Sequence, residues 1–318
     1  MRRLLAFLTL VLARSAVAQQ PSQATYHQLG HAILRELIET NTTGSTGNTT
    51  IVADQLAVRF RDAGFPEADV QVVGPTPRDR NLIVRYRGSG ARKPILLLAH
   101  LDVVEAKRED WTYDPFRLTE HDGYFYGRGT QDQKGGAASL VTALLRLKSE
   151  SFVPDRDLIL ALTAGEEGGT SYNGVDWLIK NKRNLIDAEF ALNEGGWGES
   201  AAGKPFANDV QFSEKYVINY RFEVHNKGGH SSLPVPDNAI YHLSGALDRL
   251  SKFAFPVKVN DITRAYFRAM SGIEKGPIAA DLAKVANGDT AAMRRVAAAT
   301  TAWNATLRTT SFGRAGKS

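Results

Sequence analysis

No cysteine occurs in the 318 residues. Disulfides and thiolate metal ligands are thereby excluded, and any metal bound here is held by His, Asp and Glu. Neither sign of charge dominates: 39 Lys and Arg stand against 34 Asp and Glu, with no basic block and no aromatic-interleaved Lys/Arg patch. A formal charge of +5 then describes a mildly basic surface and leaves no footprint for nucleic acid. Internal repeats, low-complexity tracts and the G-x-S-x-G elbow of a serine hydrolase are also missing. With 43% hydrophobic residues the chain can bury a sizeable core, and its length suggests more than one domain.

The N-terminus has the order of a secretory signal: Arg2-Arg3, the apolar run 4-LLAFLTLVLA-13 and the small-residue end Ala16-Val17-Ala18. This predicts cleavage after Ala18 and an exported protein, secreted or periplasmic. About ten apolar residues fall short of the ~20 that span a bilayer, and no later run is long enough, so no stable membrane anchor is expected.

Helical periodicity covers 22–39 and 50–64, the second stopping at Gly64-Phe65-Pro66. Strand-like runs follow at 69–73, 81–87, 95–99, 157–163 and 189–193, interleaved with a hairpin-like 124–129 and helices at 135–148 and 174–181. Uniformly apolar strands alternating with helices indicate an α/β sheet covered on both faces. After about residue 212 the pattern changes. The run 216–226 alternates like a half-buried strand, 237–253 reads as an amphipathic helix, and 262–303 as Ala-rich helix broken at Gly276-Pro277 and Gly288. A strand-like 304–312 runs into a polar tail. The expected organisation is a signal at 1–18, an α/β domain at 19–212 and an α+β domain at 213–318.

Chemistry-bearing residues gather where the apolar strands end. In 98-LAHLDVV-104, His100 and Asp102 are two residues apart, so a carboxylate is placed to orient an imidazole. In 127-GRGTQDQKGG-136, Asp132 lies in a glycine-rich loop before a helix. In 162-LTAGEEGGT-170, Glu166 and Glu167 adjoin, and two such carboxylates stay ionised together only beside a cation. A metal would supply that cation and divide their work into ligand and proton acceptor. In 191-ALNEGGWG-198, Glu194 again follows a strand and precedes glycines. Taken singly, each set fits a plainer role, such as an N-cap Asp or two solvated glutamates. Together they fall at one edge of an open sheet, where loops at the carboxyl ends of strands line a crevice.

The ordered set AHLDVV, GRGTQDQKGG, TAGEEGG, NEGG and 228-GGHSSLP-234 resembles the M20 metallopeptidase family over about residues 25 to 312. The resemblance implies a zinc-exopeptidase-like catalytic domain, its mixed sheet flanked by helices, with an inserted α+β lid and dimerisation domain. It implies two zinc ions sharing Asp132, one completed by His100 and Glu194 and the other by Glu167. Glu166 would be the general base, Asp102 would orient His100, and the Asp132–Gln133 peptide would be cis. His230 would stabilise the oxyanion across a homodimer. Family members hydrolyse peptide or N-acyl amide bonds next to a free carboxylate, so a carboxypeptidase or N-acyl amino acid hydrolase is expected, its substrate a small peptide or an N-acyl amino acid.

One departure carries its own expectation. The family places a further zinc-ligating histidine near the end of a longer chain, whereas the last histidine here is His242, and 311–318 offers nothing apolar to pack. On that basis the lid is incomplete, the second zinc site is open and weak, and the 318-residue form has little activity and poor stability. The alternative function is a non-catalytic remnant serving as a binding or dimerisation module.

Overall fold

The computed structural model describes residues 22–311 apart from 169–171, 197, 217, 231 and 234. The signal expected at 1–18 and the tail at 313–318 lie outside the described residues. The chain forms two compact units that divide after Glu194, ahead of the boundary at 212 expected from the change in pattern.

In the first unit, α1 (Gln23–Glu39) and α2 (Thr49–Asp62) start where the side chains of Ser22 and Asn48 accept backbone N–H groups. Each buries one stripe at helical spacing: Ile33, Leu37 and Ile38 on α1, and Val52, Leu56 and Phe60 on α2. The sheet contains β1 (Val70–Val73), β2 (Asn81–Tyr86), β3 (Ile95–His100), β6 (Leu158–Thr163) and β7 (Phe190–Leu192), in the order β1-β2-β6-β3-β7. The β1–β2 and β2–β6 pairs are antiparallel, while β6–β3 and β3–β7 are parallel, so the sheet is mixed. Between β3 and β6 the chain makes the hairpin β4 (Thr119–His121) and β5 (Tyr124–Tyr126), then α3 (Lys134–Ser149). The hairpin turns through Asp122 and Gly123 at φ 50° and 79°, the positive pair a two-residue turn requires. The helices α4 (Gly174–Asn181) and α5 (Arg183–Ile186) connect β6 to β7.

Both faces of the central strands are buried, which is why they read as continuous apolar runs. Leu82, Val84, Leu160 and Leu162 join α1, α2 and α3 in one core. Ile83, Ile159 and Ala161, one residue out of phase, face the other side with Leu178 of α4.

The second unit opens with a hairpin the sequence reading did not anticipate, β8 (Gly198–Ala201) and β9 (Lys204–Asn208). Helices α6 (Ala239–Ser251), α7 (Asp261–Ile273), α8 (Pro277–Ala286), α9 (Thr290–Ala299) and α10 (Thr301–Leu307) follow. The expected breaks fall where placed, with Gly276 and Gly288 at φ 75° and 89°. Two strand expectations need correction. Among the described residues of 216–226 none forms a strand, and Tyr216, Ile218, Tyr220 and Phe222 are all exposed. Alternation alone does not make a strand; the backbone needs a neighbour to pair with and one face needs cover. The run 304–312 begins instead as the end of α10, because Thr300 caps it and Trp303 and Leu307, four apart, both reach the helical core with Phe267, Leu282 and Val296. No helix among the described residues is long and apolar enough to cross a membrane.

Candidate metal centre

The parallel strands β3, β6 and β7 end at one edge of the sheet, and the chain leaving each edge carries the residues in question. His100 closes β3, Glu166 and Glu167 follow β6, and Glu194 follows β7. Asp132 arrives from the loop before α3, next to the cis peptide Asp132–Gln133 that the resemblance implied.

His100 is the hub. Its side chain is 2% exposed, and Nε2 lies 2.9 Å from Asp132 Oδ1, 3.7 Å from Glu194 Oε2 and 3.9 Å from Glu166 Oε2. Two donor groups converge on it: His100 with Glu166 and Glu194, and His100 with Asp132 and Glu167, each with ligand atoms within 4.8 Å of one another. The acids are more open to solvent, Asp132 at 67% and Glu166 at 49%, so a buried imidazole forms the floor and carboxylates form the rim.

Asp102 differs in detail from the expected arrangement. Its backbone carbonyl accepts from His100 Nδ1 at 2.9 Å, while its carboxylate is 3.7 Å from the same nitrogen. The carboxylate instead accepts the backbone N–H groups of Glu166 and Glu167, at 3.2 and 3.0 Å. Two residues' spacing puts side chains on one face only while the strand continues, and β3 stops at His100, so Asp102 is free to turn toward the neighbouring loop.

Sequence reasoning missed two supports beside the site. Gln133 Oε1 accepts the His100 N–H at 3.2 Å. Lys134, fully buried, donates from Nζ to the carbonyls of Leu37 at 2.7 Å and Thr40 at 2.9 Å, closing the end of α1. Burial pushes the Lys134 ammonium down to about 7 against the opposing pull of Asp102. Both residues stood in the QDQKGG motif, but a lysine at a helix start reads as a solvated charge until its surroundings are known.

The electrostatics show excess negative charge. Burial alone would lower the His100 pKa, yet the charges of Asp102, Glu194 and Glu166 and the bond to the Asp102 carbonyl outweigh it and raise the value. Burial raises the Glu167 carboxyl, and Asp132, Glu166 and Asp102 push the same way against His100. Five carboxylates around one imidazole, with nitrogen and oxygen donors and no thiolate, fit a borderline divalent cation such as zinc. His230 belongs to the second unit, in an exposed loop with Nδ1 2.7 Å from Ser232 Oγ, whereas the other six residues belong to the first.

Comparison with known proteins is consistent with this constellation. Residues 96–310 match Peptidase family M20/M25/M40. A probable succinyl-diaminopimelate desuccinylase of Staphylococcus aureus is 35% identical over 175 residues, 54% of this chain and 40% of that protein. The human N-fatty-acyl-amino acid synthase/hydrolase PM20D1 is 33% identical over 169 residues, 52% of this chain and 33% of that protein. Among solved structures, an M20 family metallo-carboxypeptidase from Sulfolobus solfataricus aligns at a TM-score of 0.45 and 22% identity, covering 52% of this chain and 37% of its own. The chain spans less than half the length of each of these proteins. The family match covers well over half of the residues and includes every strand end that contributes to the cluster, and on that ground the chain belongs to peptidase family M20/M25/M40.

Proposed function

We infer that this chain is an exported zinc-dependent hydrolase that cleaves a peptide or N-acyl amide bond next to a free carboxylate. The observation that carries the reading is the convergence of four acids from three separate loops on the buried imidazole of His100. His100, Asp132, Glu194 and Glu167 would hold two zinc ions, with Asp132 shared. When bound, zinc polarises the scissile carbonyl and acidifies water.

The chain's own residues do the rest. Glu166, on the open rim, takes the proton of the attacking water at its carboxylate and returns it to the departing amine nitrogen. Asp102 holds the Glu166–Glu167 backbone in place through two N–H groups, so the base and its neighbouring ligand move as one. His230, from the second unit, would donate to the developing oxyanion, and a homodimer through that unit would bring it there. Two relatives are named for such compounds, a probable succinyl-diaminopimelate desuccinylase and an N-fatty-acyl-amino acid synthase/hydrolase, which supports an acyl amide beside a carboxylate as the substrate class. Export through the N-terminal segment completes the proposal.

The test combines zinc analysis with a screen of N-acyl amino acids and dipeptides. In a chain extended to the length of its relatives, Glu166→Gln is expected to keep zinc and to lose turnover by ~10²–10⁴-fold, the usual weight of a general base. Turnover that survives the substitution removes Glu166 from that role, and a chain that takes up no divalent ion removes the reading as a whole.

A further inference from the structure

Away from the sheet edge, three metal-competent side chains line a single open cavity of about 810 Å³ against α1, α3 and the β4–β5 hairpin: His27, His31 and Glu120. We propose that these three residues form a second, peripheral site for a borderline transition-metal ion of the zinc, nickel or copper class. The function inferred for the sheet-edge cluster plays no part in this proposal.

The placement begins with spacing. His27 and His31 are four apart on α1, so both imidazoles rise from one face of the helix about 5–6 Å apart at Cβ. Glu120 is delivered from 89 residues away by β4, and its Oε1 abuts His31 Nε2. Alternation along the hairpin puts Glu120 and its cross-strand partner Phe125 on the same face, and the Phe125 ring packs on the His31 ring at 5.5 Å, fixing its orientation. His31 and Glu120 remain 29% and 56% exposed, so an ion can reach them from solvent. His27 is also exposed and lines the same cavity, but its ring stands apart from the other two, so binding requires it to change rotamer.

The cation that lines the same cavity does not compete for the site. Arg146 is occupied by Glu150 at 2.7 Å and lies over the Tyr26 ring at 5.2 Å. Two imidazoles and one carboxylate make a three-ligand set with an open fourth position, suited to zinc-like ions, whereas calcium and magnesium take oxygen alone. Such an ion would clamp the hairpin to α1 in a chain that has no cysteine for a covalent staple. Without it, the His31–Glu120 contact is a plain surface hydrogen bond.

Nickel(II) titration by calorimetry tests this on the full chain carrying Asp132→Asn and Glu194→Gln, which takes one acid from each of the two sheet-edge donor groups. One bound equivalent is expected, weakened at least tenfold by His27→Ala and by Glu120→Gln and unchanged by Gln28→Ala at the cavity wall. No binding, or binding indifferent to His27→Ala, overturns the proposal. Proton NMR of the unsubstituted chain, freed of metal by chelator, serves as a check that needs no variant. The ring signals of His27 and His31 are expected to broaden together at substoichiometric nickel, and sharp signals for either would overturn the site.

Discussion

At Asp102 one buried carboxylate accepts the N–H groups of both Glu166 and Glu167, so two candidate functional glutamates are presented by a contact their own loop does not contain. Removing the acceptor leaves two backbone donors to find water, at a cost of about 1–3 kcal/mol for such orphaned groups. Asp102→Ala is therefore expected to lower stability by that amount in urea unfolding and to weaken zinc binding, while Asp102→Asn, which keeps one acceptor oxygen, falls between. Zinc affinity that does not move in Asp102→Ala would show that the loop holds its shape without this contact. His100, Asp132, Glu166, Glu167 and Glu194 stood out in the sequence as candidates, because a histidine and acids at strand ends beside glycines form a pattern. What Asp102, Gln133 and Lys134 touch was not: Lys134 bonds a carbonyl 97 residues away, and no local pattern encodes that.

Among the elements, β6 shows how a strand is anchored. Asp157, just before it, accepts from Arg85 of β2 at 2.8 Å and from the Gly88 N–H at 2.9 Å. Burial pushes this carboxyl up, but the Gly88 N–H, Arg85 and Arg87 outweigh burial and hold it below the usual range. A folded value below the unfolded one stabilises the protein above the unfolded pKa of ~4 and is lost as pH falls through the folded value. Asp157→Asn should then cost about 1–2 kcal/mol at neutral pH and progressively less below pH ~4. A cost that stays constant across that range would mean the carboxylate charge is not what anchors the strand. For α10 the decisive residue is Thr300, whose Oγ1 accepts the Trp303 N–H at 3.0 Å. Thr300→Ala is expected to lower stability by ~0.5–2 kcal/mol with a loss of helical circular dichroism, which a strand at 304–312 would not show. Elements with helical period or two buried faces were legible in the sequence. The runs 216–226 and 304–312 were misread because period two needs a partner strand to acquire meaning, and Leu307 was recruited by a helical core instead.

For the molecule as a whole, the metal is expected to act as a ligand for the folded state. Zinc at ~100 times its dissociation constant would add ~2.7 kcal/mol, so thermal unfolding should rise with added zinc and fall with chelator. Asp132→Asn combined with Glu194→Gln, one acid from each donor group, should abolish most of that response; a full zinc effect in the double variant would place the principal site elsewhere. From the sequence alone came the exclusion of thiolates, the α/β order of the first unit, the breaks between the helices of the second, and the residue types of the candidate metal cluster. These follow from composition, periodicity and turn chemistry, which are local. Strand order, and with it the meeting of His100, Glu166, Glu167 and Glu194 at one edge, came from the packing of β6 between β2 and β3. So did the bond that turns Asp102 toward the neighbouring loop and the cavity that sets Glu120 against His31. Each of these depends on residues far apart in the chain being held together by a shared core, and no short stretch of sequence carries that information.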